Sequence, residues 1–94
     1  MEYQITQILH TGTCGEPGTE RKDDRYPLRI GRTVDLFLEN IHIGYPMYVE
    51  YLKDANGNDM VFKALITSRV KDVQADHNLV VVTTRNSVFY FRKI

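Results

Sequence analysis

His10 and Cys14 stand four residues apart, and His42 and His77 add two further imidazoles. A cysteine beside a histidine can act as a thiolate nucleophile, and the same side chains can hold zinc. A structural zinc site needs four ligands, usually in paired short spacings, and only one such pair exists here. A nucleophilic Cys14 would need a base fixed beside it and donors for an oxyanion, and nothing in the neighbouring residues supplies them. Scattered surface histidines and a loop cysteine explain the pattern more simply. No metal site, no cofactor and no enzymatic activity are therefore expected.

Two other spacings fail in the same way. Gly12, Gly15 and Gly18 form G-x-x-G-x-x-G, which is neither the dinucleotide fingerprint nor a phosphate loop ending in Gly-Lys-Ser/Thr. Asp54-x-Asn56-x-Asn58 copies the opening of a calcium loop, but Asp59 stands where that loop needs Gly and Leu65 where it needs Glu. Oxygen-rich residues around Asn56-Gly57 are what a hairpin tip contains in any case.

The cations carry more. Arg21, Lys22, Arg25, Arg29 and Arg32 surround Tyr26, a mixture that can contact phosphates and stack on a base. Glu20, Asp23 and Asp24 interrupt the run, so a solvated loop with internal ion pairs is the plainer reading. The C-terminal part adds Lys63, Arg69, Lys71, Arg85, Arg92 and Lys93 against Asp72 and Asp76. Over the whole chain, 12 Lys plus Arg balance 12 Asp plus Glu, so no long-range field draws the protein to nucleic acid or to an anionic membrane.

Aromatic residues form the third resource, with six tyrosines, four phenylalanines and no tryptophan. Most should fill the interior, but Tyr45, Tyr48, Tyr51 and Tyr90 are candidates for contact with a partner. If Tyr48 and Leu52 face outward beside Val61 and Leu65, the hairpin that carries them presents an apolar patch suited to a protein partner or a second copy of the chain.

Positioning these residues falls to a single domain over residues 1–94, since 94 residues with 43% apolar and 26% charged side chains fit one soluble globule. Residues 2–9 place Tyr3, Ile5 and Leu9 on one parity, with Ile8 out of step, and predict a half-buried strand. Residues 11–26 hold three glycines and Pro17 with almost nothing apolar, which predicts a long exposed loop. Residues 33–43 fit both a helical and a strand template, and a strand over 33–39 is preferred because its neighbours are strand-like.

The strongest signal is a hairpin, Met47–Lys53 and Met60–Ile66 about an Asn-Gly turn, with Val49, Tyr51, Phe62, Ala64 and Ile66 inward and Glu50 paired with Lys63 outside. Another strand over 67–74 breaks alternation between Val70 and Val73, as a bulge would. Turns at 76–78 and 85–86 then separate strands 79–84 and 87–93.

Six or seven short strands at close spacing predict an all-β protein, a small closed or partly open antiparallel barrel. The long loop after the first strand, followed by hairpins, resembles the element order of SH3-like small barrels over residues 3–67. The acidic and aromatic peptide-binding signature of SH3 domains is absent and the later strands exceed their usual number, so the resemblance implies an architecture and no activity. A single cysteine excludes an intrachain disulfide and points to a reducing, cytoplasmic compartment. No leader or membrane-spanning run appears in the sequence, so no membrane association is expected. The function expected is that of a non-catalytic module for protein–protein interaction or self-association. The alternative is single-stranded nucleic-acid binding through residues 21–32 and the basic C-terminal strands.

Overall fold

The computed structural model describes residues 1–94. Its elements run β1 (Glu2–His10), α1 (Tyr26–Arg29), β2 (Thr33–Asp35), a 3-10 turn (Leu38–Asn40), β3 (Pro46–Lys53), β4 (Ala64–Ala75), β5 (Leu79–Thr84) and β6 (Ser87–Lys93). Each strand pairs antiparallel with the next, and β6 returns to β1, closing a six-stranded barrel. Closure leaves no free strand edge. No helix is long and apolar enough to cross a membrane.

Alternation builds the interior. Phe89 and Phe91 on β6, Val80 and Val82 on β5, and Tyr3 and Ile5 on β1 point into one apolar core of 14 side chains. The β1 periodicity changes hand partway, because Ile5 pairs with Phe91 whereas Gln7 pairs with Tyr90, leaving Thr6 as an extra residue. After this bulge the inward positions are Ile8 and His10, so Ile8 lies in the core and Leu9, expected inside, is only half-buried.

The bulge anticipated near Val70 is present, since Val70 pairs with Thr84 and Asp72 with Thr83. The two strands expected over 60–66 and 67–74 are one bent strand, β4, which sets the total at six. Residues 33–43 divide between the two templates: Val34 and Leu36 alternate inward, and the chain then turns through the 3-10 segment, leaving Phe37 and Leu38 exposed.

The hairpin differs most from expectation. Its first arm is as predicted, with Met47, Val49 and Tyr51 buried. On the second arm the inward residue is Leu65, 2% exposed, while Ile66 and Phe62 lie outside. Leu65 therefore belongs to the core and not to an outer patch. The cause is an outward bulge: Met60 donates its N–H to Leu52 O and Lys63 O accepts from Tyr51 N, so Val61 and Phe62 lie between two cross-strand hydrogen bonds and pair with nothing. Glu50 consequently faces Ala64 and makes no ion pair with Lys63.

The hairpin tip is held by Asp54, whose Oδ1 accepts the N–H groups of Asn56 and Asn58, each at 2.9 Å. Gly57 supplies the positive φ that closes it. Backbone hydrogen bonds at Asn58 and Asn56 hold the Asp54 carboxyl below its ordinary pKa. Asp76 does the same work in the next turn, accepting from Asn78 and Leu79 N–H groups at 2.8 Å, and is lowered for the same reason.

The inward side of β4 can be checked by truncation. Leu65→Ala should cost about 2–5 kcal/mol, the range for emptying a packed aliphatic site. Ile66→Ala should change stability by less than about 0.5 kcal/mol, as an exposed position does. Urea unfolding of both variants measures the contrast.

Candidate functional site

Two arrangements at the surface gather side chains that the core alone does not account for. The first is the outer face of β3 and β4. Tyr48 and Ile66 are cross-strand partners and are 60% and 67% exposed. Val61 is exposed, Leu52 half-buried and Phe62 fully exposed. Phe62 has φ +59°, in the left-handed region that a bulky L-residue rarely enters. A shallow depression of about 250 Å³ lies on the other side of Tyr48, lined by Phe37, Ile41, Tyr48 and Val49 with Asp35 and Glu50 at its polar wall. One face thus carries an apolar knob beside a socket of mixed apolar and polar lining.

The second arrangement is cationic. The turn of α1 brings Arg25 and Arg29, four residues apart, to one side, and Arg32 follows just before β2. These three arginines line a cavity of about 210 Å³ together with Lys63, Tyr51, Met60 and Ala64. The Arg32 guanidinium sits 4.8 Å from the Tyr51 ring centre. Arg29 lies 4.4 Å from that of Tyr26.

Other residues of the basic run are elsewhere. Arg21, expected as a surface contact, is 7% exposed and fully engaged. Its Nε donates to Asp23 Oδ1 at 3.1 Å, Nη2 donates to Asp23 Oδ2, and Nη1 donates to Ser87 Oγ at 2.7 Å. Its guanidinium also covers the Tyr26 ring, 3.9 Å from the centroid. Tyr26, stacked by two guanidiniums, is no longer a platform for a base. Lys22 is exposed but lines a different cleft with Thr6, Glu20, Pro27 and Ile30.

The loop over 11–26 is anchored at its returning arm. His10 N–H donates to Thr19 O, Gly18 N–H to His10 O and Arg21 N–H to Ile8 O, which extends β1 by a short antiparallel ladder. Arg21 then ties this arm to the start of β6. Its hydrogen bond holds Asp23 below the ordinary carboxyl pKa, and Asp23 in turn raises Arg21.

His10 is buried beneath this loop, with Nε2 3.6 Å from Asp23 Oδ1 and its ring so close to Gly15 that a Cβ there would meet it at 2.8 Å. Cys14 is free and exposed, and its nearest polar contact is Thr13 Oγ1 at 3.5 Å. No three His, Cys, Asp or Glu side chains come together as a ligand set.

Sequence reading located Tyr48, Leu52 and Val61 of the apolar face and missed Phe62, which the expected hairpin register placed indoors. The arginines of the second arrangement stood in the basic run, and Lys63, which immediately precedes β4, stood in the basic C-terminal part named beside it. Comparison with protein-family models, curated proteins and solved structures gives no match.

If Arg21 is a tether, Arg21→Ala should cost about 1–3 kcal/mol, because it leaves the partners of a buried cation unsatisfied. Lys22→Ala should change stability by under about 0.5 kcal/mol. The lowered Asp23 adds stability above the unfolded carboxyl value of about 3.9, and that contribution is lost as pH falls through its lower folded value. Asp23→Asn should therefore lower stability at neutral pH and flatten the acid limb of a stability–pH curve measured by urea unfolding.

Proposed function

We propose that this chain is a non-catalytic β-barrel module that associates with a second copy of itself through the outer face of β3 and β4, with Phe62 as the anchor. The observation that carries the reading is Phe62, a large apolar side chain held wholly in water on a backbone conformation it disfavours. Left-handed backbone costs about 1–2 kcal/mol at a non-glycine residue. Covering the ring contributes about 1.5–3 kcal/mol. A docked partner offsets both costs, whereas in the free chain they gain nothing.

A second copy fits because the face is self-complementary. A two-fold interface needs one patch to carry both halves of each contact, and here Phe62 and the depression beside Phe37 flank the same Tyr48. The exposed, unpaired Cys14 supports a reducing, cytoplasmic setting.

Sedimentation equilibrium between about 1 μM and about 1 mM reads affinities of roughly −8 to −4 kcal/mol and tests this directly. The wild-type chain should show a reversible monomer–dimer equilibrium. Phe62→Gly should be monomeric throughout while keeping or raising its unfolding midpoint, since glycine adopts the positive φ freely. A strictly monomeric wild type overturns the proposal. So does a Phe62→Gly variant destabilised by about 3–5 kcal/mol, the mark of a packed phenylalanine.

A further inference from the structure

The arginine cavity borders the aromatic knob without including Phe62, and it is chemically incomplete. Arg25, Arg29, Arg32 and Lys63 converge on it, no carboxylate lines it, and none of the four takes part in an ion pair. Asp54 lies within the electrostatic reach of Arg32 without touching it.

Two residues of the lining each carry a polar atom buried without any hydrogen-bond partner, Tyr51 Oη and Arg32 Nε. Tyr51 is 5% exposed. Buried polar groups are nearly always satisfied, and leaving one unpaired is costly. Four like charges gathered without a counterion repel one another, which adds to that cost. An anion in the cavity neutralises the cations, and a small shift of the Arg32 and Tyr51 side chains on binding brings the two orphaned donors to its oxygens.

The geometry also selects among anions. Arginine's planar fork suits the oxygens of carboxylates and phosphates, and several forks around one small space suit a tetrahedral group with many acceptor sites. Stacking of Arg29 on Tyr26 and of Arg32 on Tyr51 holds two of the forks in place before a ligand arrives. A cavity of about 210 Å³ has room for one such group. Tyr26 is already covered by guanidiniums and offers no surface for a base to stack on within this cavity.

We propose that this cavity binds a single dianionic phosphoryl group, with Arg25, Arg29, Arg32 and Lys63 neutralising its charge and Tyr51 Oη and Arg32 Nε donating hydrogen bonds to it. The site takes free phosphate or the terminal phosphate of a small monoester, and it does not depend on self-association through Phe62.

Titration of the full chain with inorganic phosphate, with O-phosphoserine and with a single-stranded oligonucleotide, followed by amide chemical shifts at constant chloride-adjusted ionic strength, tests the proposal. Phosphate or phosphoserine should saturate, with shifts centred on Arg25, Arg29, Arg32, Tyr51 and Lys63. The stronger of the two identifies a free or an esterified ligand.

Arg32→Gln should weaken binding about tenfold or more, the scale of a lost hydrogen bond to a charged group. Tyr51→Phe removes only the orphaned hydroxyl. It should leave the unliganded fold as stable as wild type or more so, and weaken phosphate several-fold. Phe62→Gly should bind phosphate as the wild type does, which separates this site from the dimer interface. Shifts that grow linearly with any added anion overturn the proposal, as does a Tyr51→Phe variant with unchanged phosphate affinity. Tighter binding of the oligonucleotide than of phosphate, falling steeply with salt, replaces it with a nucleic-acid surface.

Discussion

A six-stranded barrel this narrow can close only if its own side chains fill it, and that constraint governs everything else in the molecule. Phe89, Phe91, Ile5, Val80 and Val82 are essentially without solvent contact, and they occupy the space where a larger barrel would keep a ligand. With the interior taken and every strand edge paired, recognition has only the outward faces and the connecting segments left to use. Both candidate sites lie there, one on the outside of β3 and β4 and the other where α1 and the approach to β2 fold against the same hairpin.

The two sites share a border. Tyr51, Met60 and Lys63 line the arginine cavity and also the depression beneath Val61 and Phe62. Tyr51 is both a core residue of β3 and the wall of the cavity, so its ring is positioned by packing and its hydroxyl by where the ring ends. Lys63 is carried by the same bulge that expels Phe62. One local irregularity, two residues between the hydrogen bonds at Leu52 and Tyr51, thus exposes an aromatic side chain next to a cation. Bulges commonly serve to re-aim side chains in this way.

The elements most legible in the sequence are those whose pattern has one solution. The turns at 76–78 and 85–86 are marked by Asp76-His77-Asn78 and Arg85-Asn86 between β-branched runs, and the strands they separate lie where alternation puts them. The bulge near Val70 shows as a single skipped parity.

The second arm of the hairpin is apolar on both parities, with Val61 and Leu65 on one and Phe62, Ala64 and Ile66 on the other. Periodicity then says nothing about which side faces in, and the register is decided by the bulge. Arg21 was hidden for another reason: its partners Asp23 and Ser87 are 2 and 66 residues away, and only closure of the barrel brings the second within reach. Clustering of Arg25, Arg29 and Arg32 was foreshadowed by their spacing, but the short helix that aligns the first two was not, because Tyr26-Pro27-Leu28 is too brief to show a period.

The most direct single measurement is a dilution series of amide chemical shifts on the wild-type chain, residue by residue. If the outer face of β3 and β4 joins two copies, shifts that change with concentration are confined to Phe37, Tyr48, Val61, Phe62, Lys63 and their neighbours, while β5 and β6 stay fixed. Concentration-independent spectra, or changes centred on another face of the barrel, contradict it.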